Sequence, residues 1–233
     1  MTKPIRVGVL GAGLGSRLAS RAKAKPLALL GGKSLLSHLI GALKSCGIQN
    51  IQCALRDELL TVEEKSGLPK EAGVSYIFAN TESSLHTLVE LIHSMGTEGG
   101  PALFTMADTV LRPQDLRNFV DFCRNLPTGE CAVLTTTFVD DEKPLWVHVK
   151  PDGEAARFSS EPGSQVTSGM YFLQPQAMEI AKELTDKGVH KMRNFLAELT
   201  TRGMPIKTFV VSKTIDVDHP SDLDKAAAFM QGD

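Results

Sequence analysis

Ile5-Arg-Val-Gly-Val-Leu10-Gly-Ala-Gly13-Leu-Gly15-Ser-Arg17 is the stretch on which the fold turns. Its first six residues form a short, β-branched, apolar run halted by glycines, which reads as a buried strand. A strand that delivers a glycine loop lies where an open α/β sheet offers backbone N–H groups to a ligand, at its carboxyl edge. Beyond the loop 11–32, Ser34 can cap a helix whose Leu35, Leu36, Leu39, Ile40 and Leu43 repeat at helical spacing, and Gly47 ends it. Further out the alternation continues, with strands expected near 50–55, 74–78 and 102–106 and helical stretches near 57–66, 84–95 and 113–125. Strands separated by helices of that length imply βαβ crossovers and a mostly parallel, twisted central sheet.

After about residue 130 the rhythm changes. Residues 132–139 and 145–149 are strand-like, Pro151-Asp-Gly153 is a hairpin turn, and 154–158 and 167–173 read as further strands, so a small inserted β region is expected. Helices follow at about 175–186 and 190–202, then a strand over 206–211, a short run over 214–217 and a last helix begun by Pro220 and Ser221. Neither a repeat, a low-complexity segment nor a linker interrupts the pattern, and 233 residues suffice for one large core, so one α/β domain over 1–233 is expected.

Composition narrows the function classes. With 42% apolar and 22% charged residues the chain is globular, and no apolar run approaches the ~20 residues needed to cross a bilayer, so no membrane partner is expected. Cys46, Cys53, Cys123 and Cys131 lack any CxxC or Cys/His clustering and read as reduced core thiols, which makes the cytoplasm the expected compartment. The formal charge of -2 conceals an asymmetry: nine basic residues and no acidic one precede Asp57, so residues 1–56 carry +9 and the rest -11. That points to an anionic ligand held by the N-terminal segment. Nucleic acid is the weaker explanation, because no aromatic residue precedes Tyr76 and a base-stacking platform is missing.

The glycine loop is a poor dinucleotide fingerprint. The third small residue of GxGxxG is absent and no acid stands ~20 residues on. Gly32-Lys33-Ser34 imitates the end of a P-loop, but Leu27 stands where its first glycine belongs. What the segment does carry is Gly13-x-Gly15-x-Arg17 followed by Lys25-Pro26-Leu27 and Leu30-Gly-Gly-Lys33-Ser-Leu-Leu36. In these motifs the chain resembles the nucleotidyltransferase superfamily, the sugar-phosphate nucleotidyltransferases and MobA-like NTP transferases. Gly11 and Ser34 depart from it, where alanine and proline are usual.

The resemblance implies a single Rossmann-like, glycosyltransferase-A-type domain, with a nucleotide-binding half over 1–130 and an acceptor-binding, metal-completing half over 131–233. It implies that Leu10, Gly11, Ala12, Gly13, Gly15 and Ser16 wrap the nucleotide, with Arg17 forking phosphate oxygens and Lys25 as a catalytic point charge. It also implies Mg²⁺ as cofactor. Its ligands would be Asp108, after the hydrophobic run 102–107, and Asp216 in Thr214-Ile-Asp216-Val-Asp218-His-Pro-Ser-Asp222, with Asp218 in reserve. Asp222 better suits the start of the last helix. Asn80, Ser83 and Ser84 occupy the place of the base-recognition loop, while Glu161 and Gly169 stand in segments like those that hold the acceptor.

The implied reaction is transfer of a nucleoside monophosphate from an NTP to a phosphorylated small molecule, most simply a sugar or polyol phosphate, with release of pyrophosphate. A phosphate with a second pKa near ~6 is already anionic at neutral pH and needs no general base. His38, His86, His93, His148, His190 and His219 show no metal-ligand spacing and read as surface or satisfied core residues. The alternatives are a molybdopterin-like or cobinamide-type phosphate as acceptor, a catalytically silent nucleotide-binding regulator, and, weakest, an NADP-binding oxidoreductase.

Overall fold

A computed structural model describes residues 4–18, 20–140 and 142–231; the side chain of Ser16 lies outside the described set. The strands are β1 (Arg6–Gly11), β2 (Leu29–Leu30), β3 (Lys33–Ser34), β4 (Asn50–Leu55), β5 (Val74–Phe78), β6 (Ala102–Met106), β7 (Thr109–Val110), β8 (Cys131–Thr136), β9 (Trp146–Val149), β10 (Ala155–Ser159), β11 (Gln165–Leu173), β12 (Ile206–Val211) and β13 (Ile215–Asp216). The helices are α1 (Leu35–Ser45), α2 (Val62–Ser66), α3 (Ser84–Met95), α4 (Pro113–Asn125), α5 (Pro175–Asp186), α6 (Met192–Thr201) and α7 (Pro220–Gln231).

Nine strands form the central sheet, running β10-β9-β11-β6-β1-β4-β5, with β8 paired to β11 and β12. β1 is parallel to both β4 and β6, and β4 to β5. Val7 and Val9 are buried in one core and Leu10 in the other, as expected of a strand covered on both faces. The β-rich region after residue 130 extends this sheet: β11 runs antiparallel to β6 and β8, and β12 lies parallel to β8. Apolar cores fill both faces, one including Leu36, Ile40 and Phe119 of α1 and α4, the other Leu88, Met178 and Phe195 of α3, α5 and α6.

Two elements depart from their expected bounds for local reasons. The stretch 57–66 is not one helix but a 3₁₀ turn at Asp57–Leu59 followed by α2. Thr61 starts the second piece with a capping box: its Oγ1 accepts from the Glu64 N–H at 3.1 Å and Glu64 Oε2 from the Thr61 N–H at 2.8 Å. β8 stops at Thr136, whose hydroxyl accepts from the Phe138 N–H at 3.1 Å and turns the chain out of the ladder.

The topology positions a site. From β1 the chain moves to β4 on one side and reaches β6 on the other, so a crevice opens where the strand order reverses, at the carboxyl ends of β1 and β6. A third apolar cluster, with Leu18, Val110, Ile215, Val217 and Phe229, anchors the end of the chain beneath the glycine loop. Through it β13 pairs antiparallel with β7, matching Asp216 to Thr109.

Candidate active site

Gly15, in the loop that leaves β1, adopts φ +57, and a Cβ there would stand 2.8 Å from Lys25 Cβ. Only glycine meets both conditions without strain. The loop therefore closes on Lys25, whose side chain is largely buried. At the end of β6 stands Asp108, its Oδ2 2.5 Å from Lys25 Nζ, and Asp218 Oδ1 lies at 2.5 Å from the same nitrogen. Arg17 Nη1 reaches Asp218 Oδ2 at 3.3 Å. Asp216, brought in by β13, accepts a hydrogen bond from Thr109 Oγ1 at 2.8 Å. Sequence positions from both ends of the chain thus meet as two cations and three carboxylates.

The charges perturb one another. Burial works against the Lys25 ammonium, but Asp108 and Asp218 outweigh it and hold its pKa above the usual value. Asp216 is exposed where it opens onto the cleft, and protein atoms are packed densely around its carboxyl. That desolvation, with the Asp108 charge next, pushes its carboxyl up to about 7, although the Thr109 hydroxyl pulls the other way. A carboxylate cluster with too little positive charge to satisfy it is a fitting donor set for a hard divalent cation, which takes oxygen ligands. Asp108 and Asp216, with Asp218 beside them, are the residues that could hold one.

Among the described residues three cavities border the acids, one of them reaching from Asp216 and Asp218 toward Phe138 and Lys225, and the remaining two bear on the chemistry. One, of about 200 Å³, is walled by Leu10, Gly11, Gly13 and Gly15 with Arg17 and Lys25, and reaches Asp108 and Asp218. The other, of about 380 Å³, runs from Asp108 and Asp216 past Gly169 and Tyr171 to His190, Lys191 and Arg193. Ser83 and Ser84 line this second cavity, on the far side of the acids from the glycine loop. Gly169 sits in left-handed backbone, φ +67, at the point where the β11 to β8 register shifts, and Thr109 Oγ1 fills the space a side chain would need.

The remaining expected residues lie elsewhere. Ala12 is fully buried, and its carbonyl accepts from Arg56 Nη1 at 3.2 Å. Asn80 Oδ1 accepts from the Glu58 N–H at 3.1 Å and lines neither cavity. Glu161 is exposed after β10, paired with Arg157 at 3.1 Å, and likewise lines neither. Asp222 opens α7, with its Oδ2 accepting from the Asp218 and His219 N–H groups at 3.1 and 2.8 Å. Sequence reasoning missed Arg56 and Thr109. Arg56 also donates to the Thr81 carbonyl at 2.7 Å and so ties the glycine loop to the loop after β5. Its place at the end of β4, beside the loop strand, was the available signal.

No curated protein matches the sequence. Among solved structures, a Bacillus anthracis protein assigned as a glucose-1-phosphate thymidylyltransferase superposes with a TM-score of 0.81 at 20% identity, covering 98% of this chain and 96% of that one. The inositol-1-phosphate CTP transferase of T. maritima gives 0.82 at 16% identity, with 99% and 97% covered. The CTP:phosphocholine cytidylyltransferase of Streptococcus pneumoniae gives 0.78 at 16%, with 97% and 99% covered. At such identities the likeness is one of fold. The sequence itself matches a family model over residues 7–190, which takes in the glycine loop, Lys25 and Asp108, and on that match the chain belongs to the MobA-like NTP transferase domain family.

Proposed function

We propose that this nucleotidyltransferase moves a nucleoside monophosphate from an NTP to a phosphorylated small molecule, with Mg²⁺ as cofactor. An oxygen of the acceptor phosphate attacks the α-phosphorus, the bond from that phosphorus to the β-phosphate bridging oxygen breaks, and pyrophosphate leaves. The observation that carries the reading is Lys25 Nζ, held in the glycine-walled cavity 2.5 Å from both Asp108 and Asp218, two acids that also line a second, cation-bearing cavity. Mg²⁺, when bound, supplies charge neutralisation on phosphate oxygens, and Asp108 and Asp216 are the residues that would hold it.

The chain's own groups do the rest. The glycine loop presents main-chain N–H groups to the triphosphate, and Arg17 at the cavity mouth offers a two-pronged donor for the departing pyrophosphate. Lys25, kept protonated by its carboxylate neighbours, places a fixed positive charge in the glycine-walled cavity against the acids that the two cavities share, where charge develops during transfer. Lys191 and Arg193 face the second cavity and suit an anionic acceptor. A sugar or polyol phosphate is the first candidate, in keeping with the solved relatives. A cofactor-precursor phosphate is the second reading, favoured by Glu161, the residue expected to hold sugar hydroxyls, which lies outside the cavity. No described helix is long and apolar enough to cross a membrane. With all four cysteines free and buried, we place the enzyme in the cytoplasm.

The test is pyrophosphate release from ATP, CTP, GTP and UTP with Mg²⁺ and a panel of phosphorylated acceptors. Arg17→Ala and Asp108→Ala should each lower turnover by ~10²-fold or more, the usual effect of removing one electrostatic stabiliser. Near-normal turnover in both variants would remove the roles assigned to Arg17 and Asp108, and NTP binding with no pyrophosphate released under any acceptor would leave the silent regulator.

A further inference from the structure

We propose that Glu82, His86 and His190 form a binding site for one Zn²⁺-class transition-metal ion, separate from the acidic cleft. The fold assembles this trio from distant segments. Glu82 precedes α3, His86 lies in its first turn, and His190 stands in the connection from α5 to α6. Their ligand atoms lie within 4.8 Å of one another. Glu82 Oε2 is 3.3 Å from His190 Nδ1, and the two imidazole rings face each other with centroids 5.1 Å apart and a tilt of 39°.

The chemistry of the set selects the ion. Two imidazoles and a carboxylate form a ligand group suited to Zn²⁺, which bonds nitrogen and oxygen at ~2.1 Å in a tetrahedron whose edges are then ~3.4 Å. Glu82 and His190 are exposed, so a small side-chain rotation brings the trio from its present spacing to that edge length. Mg²⁺ is disfavoured there, because it demands oxygen ligands in an octahedron.

A supporting contact orients the least mobile member. His86 Nδ1 is 2.9 Å from Ser83 Oγ. With Nδ1–H donating to that hydroxyl, the Nε2 lone pair is left for the metal, the arrangement by which ligating histidines are held in one tautomer. Three protein ligands leave a fourth position for water or for an oxygen of a bound molecule. Because His190 and Ser83 both line the larger cavity, metal there would fix the α5 to α6 connection against α3 at that cavity's rim. The site stands on these side chains and does not depend on the proposed reaction.

The experiment is Zn²⁺ binding by calorimetry in millimolar Mg²⁺, on the full chain and on His86→Ala, His190→Ala, His190→Gln and Asp108→Asn variants, each checked for folding by thermal melting. Co²⁺ titration followed by visible absorption supplies a second readout. The expected result is one Zn²⁺ per chain, weakened at least ~10-fold in every His190 variant that melts normally and in His86→Ala, and unchanged in Asp108→Asn. Co²⁺ should give the intense bands of a tetrahedral centre, absent from the histidine variants. Absence of Zn²⁺ binding at micromolar concentration, binding indifferent to both histidines, or binding lost only with Asp108 would each overturn the proposal.

Discussion

Gly169→Ala tests how the cleft is built. Residue 169 has φ +67, and an alanine held in the left-handed region costs ~1–2 kcal/mol. The added Cβ would also lie 2.5 Å from Thr109 Oγ1, closer than real contacts come. Thr109 is 4% exposed, and relieving the collision turns its hydroxyl away from Asp216, to which it donates at 2.8 Å. Losing a hydrogen bond to a charged group costs a further ~1.5–3 kcal/mol. The two effects overlap, and together place the destabilisation at about 3 kcal/mol, or roughly 6–12 °C in Tm for a domain of this size. Misplacing Asp216 should also lower turnover by on the order of 10²-fold. A double-mutant cycle with Thr109→Ala isolates the collision: once the struck atom is gone, Gly169→Ala should cost only the backbone term. A coupling energy below ~0.5 kcal/mol, or a Gly169→Ala protein as stable and active as the parent, would refute this account of the site.

Removing Asp216 acts with opposite sign. Its carboxyl is raised from 3.8 to about 7 in the folded protein, so in metal-free buffer its contribution to stability is fully present below about 4 and is lost as the pH rises through about 7. Asp216→Asn should therefore melt higher than the parent at pH 8 without metal and lose that advantage in millimolar Mg²⁺; a variant that melts lower in both buffers would contradict the clustered-charge picture. Arg56→Ala frees the Ala12 and Thr81 carbonyls and loosens the glycine loop, so calorimetry should find NTP affinity ~10-fold weaker; wild-type affinity would show that Arg56 does not position the loop.

How much of this was legible depends on how local the physics is. The parallel frame could be read because each strand and helix announces itself within its own span: Val7 and Val9 bury on one face of β1 and Leu10 on the other, Ser34 caps α1, and prolines open α4, α5 and α7. The glycine loop stands out for the same reason and Asp108 because it follows the hydrophobic run 102–107, whereas Asp216 stands out only through the family resemblance of its segment. The split of 57–66 does not, since Thr61 can sit inside a helix or cap one and only the Glu64 response decides. The pairing of Asp216 with Thr109 was hidden too, because it arises when the chain's last strand folds back on β7.

The charge asymmetry shows how far residue type alone can carry an inference. Nine cations before Asp57 point to an anionic ligand, and two of them, Arg17 and Lys25, do face the cleft. Others are spent on the protein's own backbone. Arg6 donates to the Met95, Gly96 and Gly100 carbonyls, Lys44 to Gln49 and Ala72, and Arg56 to Ala12 and Thr81. A guanidinium or ammonium carries only donors, and a phosphate oxygen and a peptide carbonyl are both acceptors. Residue type alone therefore cannot separate a cation that holds a ligand from one that holds a loop. What separates them is place: Lys25 and Arg17 line the glycine-walled cavity, where both reach Asp218 and Lys25 also reaches Asp108, whereas Arg6, Lys44 and Arg56 answer carbonyls outside that lining, Arg56 with Glu58 as its own carboxylate partner.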